Sequence, residues 1–466
     1  MNNIGGQTID SRMIMIFLII CAMTMAAGLV LAKASLVVAM AVTVGLVLAI
    51  IGFANTELAL YVLIVAMLLG PQITAGPAEA FVARGRGGMT LRFDDFVVVV
   101  IGLSWFLRTA VDKKLGIFPS TPLNRPIALY FLVCLLATLF GYLFDRVKSV
   151  VGILTVLKYF EYFFIYFMAV NHLKEKRQVE RFTAVILTVC FVICLYAIYQ
   201  IPGGERASAP FEGPQGEPNT LGGYLILMLS VAIGLLLHYG SKTEKILLGI
   251  LVFFIVIALG ATLSRTSWVA LVPMTFALIY FTKRKTAIIV TMLIVLVIAP
   301  FILPKAVVDR AMFTFNQPRE AGQLVIGGTR IDTSTSERLN SYQIILTRDF
   351  MKQPLFGYGI TGYSFVDAQY PRVLAETGIL GLLAFIYLLR ATYRNARLIY
   401  RKTQDPFFSG LALGYLGGYV ALLFHAIGAN TFVIVRIMEP FWFLTAMVIM
   451  IPSIEAGQNE VHSRTA

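Results

Sequence analysis

Arg206, Arg265 and Arg338, together with Asp332, Asp367 and Glu376, are the residues whose type and placement could do chemistry. Arg206 lies in a connector reading PGGERASAPFEGPQGEPN over 202–219, and Arg265 in the junction TLSRTSW at 262–268. Arg338 lies within a long polar segment, 305–371. Arginine offers a rigid fork of donors that matches phosphate oxygens two at a time. A charge-assisted hydrogen bond of this kind contributes about 1.5–3 kcal/mol. The expected chemistry is therefore recognition of a phosphate or diphosphate. A carboxylate beside a partly dry site can take a proton from a hydroxyl, and Asp367 stands where it could do so. Each residue also has a plainer reading. Interfacial arginines snorkel towards lipid headgroups. Arg338 could pair with Glu337 or a nearby acid, and Asp367 could sit at a helix start near the positive dipole end. Glu376 falls inside an apolar run, where an acid is costly unless it partners a cation.

Other polar residues at membrane depth name no reaction. Lys158 and Glu161 are one helical turn apart and read as a structural pair along their own helix. His425, Arg436 and Glu439 could line a cavity near the last hairpin. Gly357-Tyr-Gly359-Ile-Thr-Gly362 has the G-x-G-x-x-G spacing but follows no strand, so it reads as a bend returning the chain to the bilayer. Gly410, Gly414 and Gly418 form a small-residue ladder for close helix packing. No metal-ligand spacing occurs, and no metal or other cofactor is expected. The four cysteines, Cys21, Cys134, Cys190 and Cys194, all lie in apolar runs and read as small core residues.

The elements that must position these residues follow from composition. The chain has 466 residues, of which 58% are hydrophobic and only 14% charged; its mean hydropathy is +0.81. Soluble domains carry about 25% charged residues, so an all-α polytopic membrane protein is expected. A helix needs about 20 apolar residues to cross the hydrocarbon, which gives about fourteen spans, near 13–32, 35–53, 56–72, 94–110, 126–144, 150–170, 182–201, 220–239, 245–263, 266–282, 286–303, 372–393, 407–428 and 432–452. The first run flows straight into the second and reads as a span, not a removed signal peptide.

The net charge of +13 reflects orientation signals first. Lys113/Lys114, Lys174–Arg177, Lys242/Lys245, Lys283–Lys285 and Arg390–Lys402 all fall on one side of this topology, which is then cytoplasmic with both termini. The connectors 73–93, 202–219, the break near 264 and 305–371 fall on the opposite face. With no basic soluble domain, nucleic acid is not an expected partner. Three regions result: spans over 1–304, a partly helical extracytoplasmic loop over 305–371, and spans plus a cytoplasmic tail over 372–466. Within the loop, Ser334-x-x-Glu337 resembles a capping box, followed by Leu339, Tyr342, Ile345, Leu346 and Phe350 at helical spacing until Pro354 and Gly357. Arg338 is then expected in the first turn of a helix lying on the membrane surface.

Four stretches in order resemble the bacterial O-antigen ligase and polysaccharide polymerase superfamily, a multi-pass glycosyltransferase family of the inner membrane. They are Arg206-Ala-Ser-Ala-Pro-Phe with Pro218-Asn219-Thr-Leu-Gly-Gly, and Thr262-Leu-Ser-Arg265-Thr-Ser-Trp268. The third is Ser336-Glu-Arg338-Leu with Pro354-Leu-Phe-Gly-Tyr-Gly359, and the fourth Leu374-Ala-Glu376-Thr-Gly378-Ile-Leu-Gly381. The resemblance spans roughly 200–390. It implies metal-independent transfer of a glycan from an undecaprenyl-diphosphate carrier to an acceptor hydroxyl on the extracytoplasmic face.

On that resemblance Arg206 and Arg265 hold the diphosphate; the reading of the residues themselves adds Arg338, which assists or positions the loop, and Asp367, which takes the acceptor proton. Asn219, Glu376 and Tyr370 join Arg206, Arg265 and Arg338 as substrate-binding candidates. The ligases carry a histidine where this chain has Asp367, and often a glycine where it has Ala209. The lost histidine favours a polymerase of O-antigen or exopolysaccharide, or a divergent transferase, over a ligase acting on lipid A or protein. A non-enzymatic transporter is the alternative of another class; it would favour repeated halves with broken mid-membrane helices. The implied partners are the carrier-linked oligosaccharide, the glycan acceptor, membrane lipids and other polysaccharide export proteins.

Overall fold

Long apolar helices dominate the computed structural model, which describes residues 36–71, 92–111, 119–147, 151–210, 216–238, 240–302 and 304–465. In chain order the helices are α1 (Leu36–Ala54), α2 (Thr56–Leu69), α3 (Phe93–Val111), α4 (Asn124–Leu143), α5 (Val151–His172), α6 (Lys176–Tyr199), α7 (Pro218–His238), α8 (Lys242–Ala261), α9 (Arg265–Phe281) and α10 (Lys285–Ile302). The polar segment contributes α11 (Lys305–Asn316), a two-residue hairpin pairing Val325–Ile326 with Thr329–Arg330, and α12 (Thr333–Ile344). It is followed by α13 (Gln369–Lys402), α14 (Pro406–His425) and α15 (Val435–Thr465).

Every expected run from 35–53 onward coincides with a helix, whereas 13–32 and Cys21 lie outside the described residues. Among the described residues, eight helices are long and apolar enough to cross a membrane: α4 to α8 and α13 to α15. Eight of the fourteen expected spans meet that criterion among the described residues. Several remaining helices, such as α2 and α9, are shorter than the hydrocarbon thickness demands.

The centre of the bundle is α7, α14 and α15, each about four-fifths buried over its apolar window. Glycine lets α7 and α14 touch. A Cβ on Gly234 would stand 2.4 Å from the Gly410 carbonyl oxygen, and one on Gly414 would stand 2.5 Å from the Val231 Cα. Ser230 donates to the Gly414 carbonyl across the same seam at 2.7 Å. Cys134, Cys190 and Cys194 are buried and unbridged.

Connectors collect at two ends. At one, Lys176 pairs with Asp405 at 2.5 Å, Arg181 with Glu57 at 3.8 Å, and Tyr400 donates to the Phe281 carbonyl. This is the end with the basic connectors. At the other, Arg436 donates to the carbonyls of Pro210 (2.7 Å), Leu68 and Gly70, and Arg146 reaches the Gly357 carbonyl at 3.4 Å. The polar segment 305–371 therefore folds over the end that also holds the 202–219 connector.

Candidate functional site

A cleft of about 570 Å³ opens at that second end. Its walls carry Arg92, Lys158, Arg206, Arg372 and Arg436, with Glu217, Asn219 and Asp367 among the other polar groups. Most of these cations already have partners. Arg92 forms an ion pair with Asp94 at 3.0 Å, Lys158 with Asp95 at 2.8 Å, and Arg372 with Glu376 at 3.3 Å. Arg206 differs. Its Nε donates to the Thr262 carbonyl at 3.2 Å, and no carboxylate pairs with it among the described residues. Burial, and then the fields of Arg310, Arg265 and Arg338, push its pKa down to about 10. It stays charged at neutral pH, as an uncompensated cation.

The other expected residues divide. Asn219 lines the cleft and accepts from Ser264 Oγ at 2.8 Å. Ser264 caps α9, accepting from the Ser267 N–H. Ser267 meets His425 Nε2 at 3.1 Å, and His425 Nδ1 meets Thr431 at 2.8 Å. This chain ties the Pro-Asn segment, the α9 start and the α14 end into one unit. His425 is thus a buried strut, not a cavity wall.

Arg265 does not line the cleft. It donates to Thr314 Oγ1 at 2.7 Å and to Asp332 at 2.8 Å, clamping α11 and α12 onto the start of α9. Burial alone would raise the Asp332 carboxyl; hydrogen bonds from Arg265 and Thr335 outweigh it and hold the group below the usual carboxylate range. Asp332, not the expected Ser334, caps α12, accepting from the Thr335 N–H. The helix consequently begins earlier, and Arg338 sits in its second turn, away from the free N–H groups. Arg338 instead donates twice to Asp367 Oδ2, at 2.8 and 3.3 Å. Asp367 does not cap α13; Ala368 occupies that position. Its side chain is 40% exposed and faces the cleft.

Glu376 does not line the cleft itself; it pairs with Arg372 and accepts from the Thr361 N–H at 3.4 Å, and both of those residues do. Tyr370 donates to the Leu423 carbonyl at 2.7 Å and packs on the core, outside the cleft lining. Lys158 pairs with Asp95 of α3, correcting the expected pairing with Glu161 on its own helix. Arg92 and Arg372 were missed by sequence reasoning. Each directly precedes or opens an apolar helix, and a lone arginine at such a boundary is the signal that could have found them.

The two glycine motifs fit each other. Tyr358 and Gly359 donate N–H groups to the Ala375 and Glu376 carbonyls, and Ile379 and Leu380 donate back to Pro354 and Leu355. Gly357 has φ +66° and Gly378 φ +65°. A Cβ at Gly357 would stand 2.5 Å from the Ala375 carbonyl, and one at Gly378 2.3 Å from the Leu355 carbonyl. The loop after α12 is thereby pinned to the kink in α13, which sets Thr361 and Asp367 at the cleft. Asp349 adds a second pin: it takes hydrogen bonds from Arg348, Lys352 (3.1 Å) and Tyr363 (2.6 Å).

No curated protein matches the chain. A family model described as O-antigen ligase matches residues 250–386, the stretch that holds Arg265, Arg338, Asp367 and the paired glycine motifs. Over that stretch, less than a third of its length, the chain is similar to the O-antigen ligase family.

Proposed function

We propose that this protein is a polysaccharide polymerase that transfers glycan from an undecaprenyl-diphosphate carrier to an acceptor sugar hydroxyl on the extracytoplasmic face of the inner membrane. The observation that carries this reading is Arg206: a guanidinium with no carboxylate partner among the described residues, at a cation-lined cleft at one end of an apolar bundle. Such a group costs desolvation energy unless an anion arrives to neutralise it.

The acceptor oxygen attacks the anomeric carbon, the bond from that carbon to the phosphate oxygen breaks, and the electron pair leaves on the diphosphate. Arg206 stabilises the charge that develops there. Asp367 accepts the hydroxyl proton, with Arg338 fixing its orientation. Arg265 adds positive field and holds α11 and α12 in place through Asp332. Direct displacement inverts the anomeric configuration. No step needs a metal; the arginines supply the charge. The family model's description favours a second reading, in which finished glycan moves to lipid A or a protein. The acceptor alone distinguishes the two.

Glycan profiling of a deletion strain complemented with Arg206→Ala tests the site. Loss of a charge donor from such a site costs about 10²–10³ in rate, so polymer falls to traces, and Arg206→Lys recovers part of it. Wild-type polymer from Arg206→Ala refutes the reading. Single-repeat glycans in the deletion identify a polymerase, whereas long carrier-linked chains identify a ligase.

A further inference from the structure

The break between α8 and α9 has an unusual backbone. Leu263 takes φ +48°, a left-handed conformation at a residue with a branched side chain. That geometry is strained for a residue with a Cβ, and such strain persists where surrounding contacts impose it. Here the contacts are visible. The Thr262 carbonyl accepts from Arg206 Nε at 3.2 Å, and the Leu263 carbonyl accepts from Arg310 Nε at 3.3 Å. Two successive carbonyls therefore anchor two guanidinium groups. Consecutive Cα atoms are about 3.8 Å apart, so the anchors are near neighbours.

Arg310 comes from α11, a helix with no fully buried side chain. Its guanidinium lies over the Phe313 ring, 5.5 Å from the centroid. No carboxylate bonds it among the described residues, and none of its nitrogens, nor those of Arg206, is buried without a partner. Both groups use Nε for the backbone, which leaves their terminal nitrogens available to a ligand. Arg265 contrasts with them, since both its terminal nitrogens are committed to Thr314 and Asp332. Arg310 is also the first-ranked charge acting on Arg206, after burial, in lowering its pKa.

We propose that Arg310 is a diphosphate-binding residue and that it forms, with Arg206 on the carbonyls of Thr262 and Leu263, the guanidinium pair that grips the two phosphates of the donor. The proposal rests on the diphosphate reading given above. The division of labour is specific: Arg206 and Arg310 contact phosphate oxygens, while Arg265 positions the helix that carries Arg310. Leu263 is a positioning residue, because its left-handed turn aims the carbonyl that orients Arg310.

The test is binding to the purified full-length protein in detergent, with farnesyl diphosphate, farnesyl monophosphate and inorganic pyrophosphate as probes. Wild type is expected to prefer farnesyl diphosphate to the monophosphate. Arg310→Ala is expected to weaken farnesyl diphosphate and pyrophosphate by tenfold or more each, with the monophosphate within about twofold and the melting temperature unchanged. Arg310→Gln, which keeps chain length, gives the same pattern and serves if the alanine variant is unstable. A loss confined to farnesyl diphosphate, with pyrophosphate unchanged, assigns the effect to the lipid chain and overturns the proposal. So does wild-type affinity in Arg310→Ala when Arg206→Ala has lost it; the transferase reading survives that result. A wild-type protein that binds diphosphate no better than monophosphate removes both.

Discussion

At the residue scale, Arg206 and Arg265 have different electrostatic standing, although each lies at the edge of an apolar run. Arg265 meets Asp332, a carboxylate with 1% exposure. Removing one partner of a buried pair costs about 3–5 kcal/mol, because the other charge is left uncompensated. Arg265→Ala is therefore expected to lower the melting temperature. Arg265→Ala with Asp332→Ala regains part of that loss yet still makes no polymer, since α11 and α12 are no longer held at the site. Wild-type polymer from the double variant would exclude Arg265 from the mechanism. The arginines at 206 and 265 were legible because a charge at the edge of an apolar run is anomalous. The partner of Lys158 was not legible, because Asp95 lies sixty-three positions away and only folding selects it over Glu161. Arg310 was hidden for another reason: in a polar amphipathic helix it looks like any solvated cation.

At the element scale, positioning depends on α12, the loop after it and the kink in α13. Gly378 has φ +65° and ψ −165°, a region open to glycine almost alone. Backbone strain there amounts to about 1–3 kcal/mol for another residue, before the clash with the Leu355 carbonyl. Gly378→Ala should raise proteolytic cleavage within 353–368 in membrane vesicles; an unchanged pattern would show that the dock is not what holds the loop.

Asp349 acts on the same loop. Hydrogen bonds from Arg348 first, then Tyr363, hold its carboxyl well below the usual range. Its contribution is complete above the unfolded value of about 3.9 and fades as pH falls through and below it. Cleavage in 353–368 should rise on acidification below about pH 4, and Asp349→Asn should show the raised level already at neutral pH. The α12 boundary shows where local patterns mislead. Ser334 and Glu337 have capping-box spacing, but Asp332 takes the cap because Arg265, distant in sequence, fixes it there.

At the scale of the whole molecule, the fold class was readable from hydropathy alone. The number of crossings is less legible, because α2 and α9 are apolar yet short. Orientation can be measured directly. The described native cysteines are all buried, so background labelling is low once Cys21 is replaced. A cysteine at Glu320 is expected to react with a membrane-impermeant maleimide added outside intact cells, and one at Lys402 only after permeabilisation. The reverse pattern would place the cleft in the cytosol and end the proposed function.

The mutual fit of Gly357 and Gly378 has an evolutionary corollary. Each backbone occupies the volume that the other residue's missing methyl group vacates, so neither position tolerates drift by itself. Across related chains the two should be retained as a couple or abandoned as a couple. A lineage keeping one without the other would have to close this loop onto its helix by some different joint.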